Sequence, residues 1–191
     1  MTTGAETLAK FATELNYAGI PAAVAERAKD CIINTVSISA FGSQLPWSRM
    51  IAGIARSNGS GACSLIGIPD ARVNAQHAAL ANGLFAHAFE LDNATEPSMG
   101  AHPGATIVPA LLAACEETGA DGKTAITAFV AACEVLCRIA MASNTSRTPI
   151  ESLGFHAPGV TGTYAATAAA GRVYGLTTEQ LTNALAIAGS L

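Results

Sequence analysis

Ile126-Thr-Ala-Phe129-Val130-Ala-Ala-Cys133-Glu-Val-Leu136-Cys137-Arg-Ile-Ala140 decides the fold class. Its apolar residues Ile126, Phe129, Val130, Cys133, Leu136, Cys137 and Ala140 recur at three- and four-residue steps, which puts them on one side of an α-helix. Upstream, Thr3-Gly-Ala-Glu6 fits a capping box, where two side chains each satisfy a free helix-end amide, and Leu8, Phe11, Ala12 and Leu15 follow at helical spacing. Pro21 opens a second helix whose inner face is Val24, Ala28, Cys31, Ile32 and Thr35. Pro46 to about Arg56, Asn74 to about His87, Pro103 to about Thr118 and Pro158 to Tyr174 read as further helices. Thr177-Thr-Glu-Gln180 is a second capping box, and its helix is expected to be still running at Leu191. Asn144–Pro149 is expected to end the helix of the opening stretch. Ala62–Ile66 has strand composition but no strand neighbour to pair with. The expectation is an all-α fold over residues 1–191, as one helical unit.

Composition narrows the function classes. The chain has 191 residues, 50% hydrophobic and only 13% charged, with a net charge of -4. Disorder is excluded, because so apolar a chain can bury a core. Ten Lys and Arg residues supply no basic footprint, so no nucleic-acid partner is expected. No run of 18 or more strongly apolar residues is evident, and no apolar signal region precedes Glu6, so neither a membrane partner nor a secretory peptide is expected. Five cysteines without framework spacing read as free thiols, and the expected location is the cytoplasm.

Two histidines share a setting. His102 directly precedes Pro103, and His156 stands two residues before Pro158, each at the start of a charge-poor helix. Helix N-termini present free amides and the positive end of the dipole, which favours anions and neutral imidazole. Two such ends facing one cleft suit a small molecule bearing several carboxylates. The expectation is that His102 and His156 approach a common cleft with Glu90 or Asp92 on its wall. His87-Ala-Phe-Glu90-Leu-Asp92-Asn93 supplies those acids. His87 and Glu90 at i and i+3 make half of a metal site, but no further ligands accompany them, so no metal is expected. Gly59-Ser-Gly61 lacks the rest of a phosphate loop, Gly159-Val-Thr-Gly162 reads as close helix packing, and His77 as a structural residue.

Taken in order, Asn82 to Asp92, Ala101-His-Pro-Gly104, Val108-Pro-Ala110, Phe155-His156, Gly159 to Thr163 and Leu185 to Ser190 resemble the MmgE/PrpD family. The resemblance covers residues from about 6 to the end. It implies the N-terminal part of a large helical domain that is normally followed by a smaller α/β domain, usually in a homodimer. Members include 2-methylcitrate dehydratase, cis-aconitate decarboxylase and iminodisuccinate epimerase, and none needs an iron–sulfur cluster, so no cofactor is expected. The resemblance implies lyase or isomerase chemistry on a small polycarboxylate, with propionate catabolism as one setting. His102 and His156 take acid, base or carboxylate-binding roles, and Glu90, Asp92 and Asn93 bind substrate or orient groups around it. The family's acidic motif is commonly His-x-x-Asp-x-Asp-Asp followed by Thr or Ser; here Glu90, Asn93 and Ala94 depart from it. Little turnover is expected of these 191 residues alone. The competing reading is a non-catalytic helical fragment or dimerisation module.

Overall fold

The computed structural model describes residues 2–96, 100–144 and 150–190, with no side-chain description at 144. Among the described residues, eight α-helices carry the chain: α1 (Gly4–Glu14), α2 (Ala22–Gly42), α3 (Pro46–Ser57), α4 (Ala75–His87), α5 (Pro103–Thr118), α6 (Gly122–Asn144), α7 (Ala157–Val173) and α8 (Thr178–Ala188). The architecture is all-α, with 3-10 turns at Tyr17–Gly19 and Ile150–Leu153.

The helix starts follow their capping chemistry. Thr3 accepts from the Glu6 amide while the Glu6 carboxylate accepts from the Thr3 amide, and Thr177 and Gln180 repeat the exchange at α8. Pro46 and Pro103 stand at the first positions of α3 and α5, where a missing N–H costs nothing. Pro21 is one step earlier than expected, capping α2 from outside. Gly119, at φ 70°, takes the left-handed conformation that closes α5. The last helix does not run on to Leu191: α8 closes at Ala188, where the Gly189 amide donates back to Leu185. Leu191 itself and residues 145–149, where α6 was expected to end, lie outside the described residues.

Two clusters of buried residues form the core. The larger joins α1, α5, α6, α7 and α8 through Ile107, Leu111, Phe129, Val135, Leu136 and Leu181. The smaller lies under α3 and α4, around Leu65, Val73 and Phe85. Much of the remaining core is alanine, which contributes little area per residue, so attraction depends on backbones coming close. Gly42 shows how close: a Cβ there would stand 2.1 Å from the Phe85 carbonyl oxygen of α4. Gly162 of α7 does the same against α5, 2.4 Å from the Thr106 methyl, so the expected close helix packing is present. Pro109 lies inside α5 without ending it. Lacking an N–H, it leaves the Ala105 carbonyl without its usual i+4 donor.

Two expectations need correction. Val24 is exposed and Ala25 takes the inward place on α2, one step round the helix. Cys63–Ser64 does have a strand neighbour, Arg72–Val73, paired antiparallel with Cys63 opposite Val73. The connection turns through Gly67 and Asp70, both at positive φ, and two residues per strand are too few for an alternation pattern. One helix bears on the membrane expectation: α6 contains, within Gly122–Ser143, an 18-residue window of mean hydropathy 1.8, long and apolar enough to cross a membrane by length and composition alone. Ala, Val and Cys reach that value without a strongly apolar run. In the fold α6 packs against α7, α5, α2 and α1, with its Glu134–Arg138 pair facing outward.

The five cysteines are free thiols, as expected. Burial pushes the Cys115 thiol up to about 11, with the charges of Asp121 and Glu116 adding to it. Burial also pushes the Cys133 thiol up. An unfolded chain releases these protons near the ordinary value of 9.0 while the folded chain retains them. The unfolded state then binds fewer protons, so stability falls as pH rises from about 9 towards about 11. Urea midpoints at pH 8 and pH 10.5 are expected to show this drop, and replacing Cys115 by Ala is expected to shrink it. An unchanged drop in that variant would remove Cys115 from the account.

Candidate active site

Three helix ends meet on one side of the fold. His87 is the last residue of α4, His102 caps the start of α5, and His156 caps the start of α7. The His87 ring lies 5.0 Å from the His102 ring and 6.1 Å from that of His156, centroid to centroid. Together with Gly83, Ala105, Thr106, Pro158 and Gly159 they line a cavity of about 210 Å³. Its walls are thus the last turn of α4 and the first turns of α5 and α7. His102 and His156 share this cleft, and His156 is the most exposed of the three.

Asp92 lies behind the rings. Its side chain is fully buried, and its two oxygens accept from different imidazoles: Oδ1 meets His87 Nδ1 at 2.9 Å and Oδ2 meets His102 Nδ1 at 3.2 Å. Oδ2 also accepts from the Ala105 amide at 3.3 Å. The carboxylate therefore sits at the N-terminal end of α5, where a negative charge is favoured. An acid that only accepts assigns a proton to Nδ1 of each ring, so in the neutral rings Nε2 carries the lone pair.

The other two acidic-motif residues fare differently. Glu90 is exposed, with φ 52°, and its Oε1 stands 3.8 Å from His87 Nε2, too far for a hydrogen bond. Asn93 does not line the cavity. Its Oδ1 accepts from the Gly104 amide at 3.0 Å, and its Nδ2 donates to the Cys31 carbonyl and to Asn34 Oδ1. Its amide thus ties α5 to α2, bonded on both sides. His77 is structural as expected, held by Asn74 at the start of α4.

His87 is the member that sequence reasoning left outside the site. Its spacing pointed to Glu90, whereas the chain turns after Ala88 and returns Asp92 to it. His87 Nδ1, His102 Nδ1 and the Asp92 carboxylate lie within 4.8 Å of one another, and three such atoms can hold one divalent ion. This set differs from the His87–Glu90 half-site read from sequence. In the present arrangement the atoms bond one another, and an ion would displace both Nδ1 protons. A larger hollow, about 500 Å³, lies between α1, α6, α7 and α8, lined by Leu8, Ile139, Tyr164 and Leu185 with Arg138 at its edge. Its described lining includes no histidine or carboxylate.

Comparison with known proteins places the chain in a family. Residues 6–191 match the MmgE/PrpD N-terminal domain, and the chain belongs to the MmgE/PrpD family. Its relatives include a cis-aconitate decarboxylase-like protein of Aspergillus oryzae, 32% identical over 95% of this chain and 38% of that protein. The cis-aconitate decarboxylase of Aspergillus terreus is 32% identical over 93% of this chain and 37% of its own length. The Homo sapiens cis-aconitate decarboxylase is 29% identical over 87% of this chain and 35% of its own length. The chain thus spans little more than a third of these relatives.

Proposed function

We propose that the protein serves lyase chemistry on a small polycarboxylate, of the decarboxylase or dehydratase kind, with His102 and His156 handling protons or carboxylates. The observation that carries this reading is the convergence of His87, His102 and His156 on one cavity with Asp92 buried behind two of them. Loss of carbon dioxide or water next to a carboxylate passes through an enolate-like anion. Such a step needs a proton donor or acceptor within reach of the reacting carbon and fixed dipoles aimed at the new charge. His102 supplies the first through Nε2, with its ring held at Nδ1 by Asp92. The first turns of α5 and α7 supply the second, their positive ends lining the cavity. His156, more open to solvent, is placed to meet a substrate carboxylate. Glu90, exposed at the rim, orients groups around it. A homodimer acting in the cytoplasm accompanies this reading. It is supported by exposed apolar side chains such as Ile33, Phe41, Trp47 and Met50. These lie on α2 and α3.

Titration of the 191-residue chain with propane-1,2,3-tricarboxylate, followed by NMR, tests the reading. Shifts are expected at Ala105, Thr106 and Gly159 around the cavity. His102→Ala and His156→Ala are each expected to weaken binding about tenfold, the worth of one charge-assisted hydrogen bond. Shifts confined to the hollow between α1 and α8 would refute it.

A further inference from the structure

His87 Nε2 is buried and has no hydrogen-bond partner. An unsatisfied buried acceptor costs free energy, and its presence beside a cavity asks what satisfies it. The other nitrogen of the ring is committed: Nδ1 donates to Asp92 Oδ1, a carboxylate that also holds His102. Nε2 of the neutral ring is therefore an acceptor only. Ionised carboxyl groups cannot serve it, since they are acceptors as well. Of the groups on a small polycarboxylate, a hydroxyl is the one that donates. Glu90, the nearest acid, also has nothing to give when ionised.

We propose that His87 is the specificity-determining residue of this site, its Nε2 accepting a hydrogen bond from a substrate hydroxyl, with Asp92 as the positioning residue that fixes the ring in that tautomer. The proposal rests on the polycarboxylate reading and deepens it: the site takes a hydroxy-polycarboxylate in preference to the same acid without the hydroxyl. A pocket built to bond a hydroxyl rejects the analogue lacking it, because the acceptor is then left buried and unpaired. His102 and His156 deal with the carboxylates and the proton, and His87 reads the hydroxyl.

Citrate and propane-1,2,3-tricarboxylate differ by that hydroxyl alone, and their affinities for the 191-residue chain test the proposal by calorimetry. Citrate is expected to bind about tenfold tighter, one hydrogen bond's worth. His87→Phe keeps a ring in place, removes the acceptor, and is expected to erase the citrate preference, whatever its effect on the two acids in common. Equal binding of both by the native chain would overturn the role of His87 and leave the polycarboxylate reading standing. Binding of neither acid would overturn both. Nitrogen-15 spectra of the native chain's histidines supply a second measurement, independent of whether the variant folds. His87 is expected to show a protonated Nδ1 and a bare Nε2 that moves with citrate. A protonated Nε2 in the free chain, with Nδ1 bare, would overturn the proposal directly.

Discussion

Asp92→Ala is expected to cost the fold about 3 kcal/mol or more, since each buried donor left without its acceptor costs about 1–3 kcal/mol. The Asp92 side chain is fully buried and bonds His87, His102 and the Ala105 amide at once. Removing it strands three donors, each losing its acceptor where water has little access. It also takes a negative charge from the start of α5. The neighbouring acid gives the contrast: Glu90→Ala removes an exposed group with no close hydrogen bond and is expected to change stability by about 0.5 kcal/mol or less. Urea denaturation of both variants, followed by circular dichroism, measures the difference. Equal stabilities would show that Asp92 does not organise the site.

Gly42→Ala is also expected to be damaging, although it adds a single methyl group. The new Cβ would stand 2.1 Å from the Phe85 carbonyl oxygen and 3.0 Å from its carbon. Both are backbone atoms, so no rotamer change relieves the clash, and α2 and α4 must move apart. Overpacking of this kind costs typically about 1–3 kcal/mol and more where backbone is involved. The shift also travels: Phe85 precedes His87 by two residues, so separating the helices tilts the end of α4 away from Asp92. Loss of the His87–Asp92 bond, visible as a changed His87 tautomer in nitrogen-15 spectra, is therefore expected with the loss of stability. Gly53→Ala, on α3 with open space around its Cβ, is the matched control and is expected to be neutral or slightly stabilising. A Gly42→Ala variant as stable as the native chain would mean that the α2–α4 contact is looser than described.

Helix starts were legible because caps are local: Thr3 with Glu6 and Thr177 with Gln180 settle a boundary within four residues. The helical class was legible from periodicity, since an inner face repeats whatever it packs against. Placing His102 and His156 at helix starts needed only Pro103 and Pro158. Their meeting in one cavity came from reasoning about what two such ends would suit. His87 and Asn93 escaped because their partners are set by turns. The left-handed step at Glu90 swings Asp92 under His87 and sends Asn93 to Gly104 and Asn34, and nothing in spacing distinguishes those two neighbours. Cys63 and Val73 met as strand partners for a similar reason: a loop with two positive-φ residues decided it.

The first turn of α5 and the rest of the helix have different keepers. From Thr106, whose amide donates to the His102 carbonyl, the ordinary helical ladder begins. Ahead of it Gly104 donates to Asn93 and Ala105 to Asp92, because first-turn amides have no acceptor within their own helix. Exchange of these two amide hydrogens with deuterated water is therefore governed by side chains from another segment and not by the unwinding of their own helix. The pair forms a built-in gauge of the site, one amide reading Asn93 and its neighbour reading Asp92. A bound acid that tightens the Asp92 network slows the second clock while leaving the first to run at its own pace.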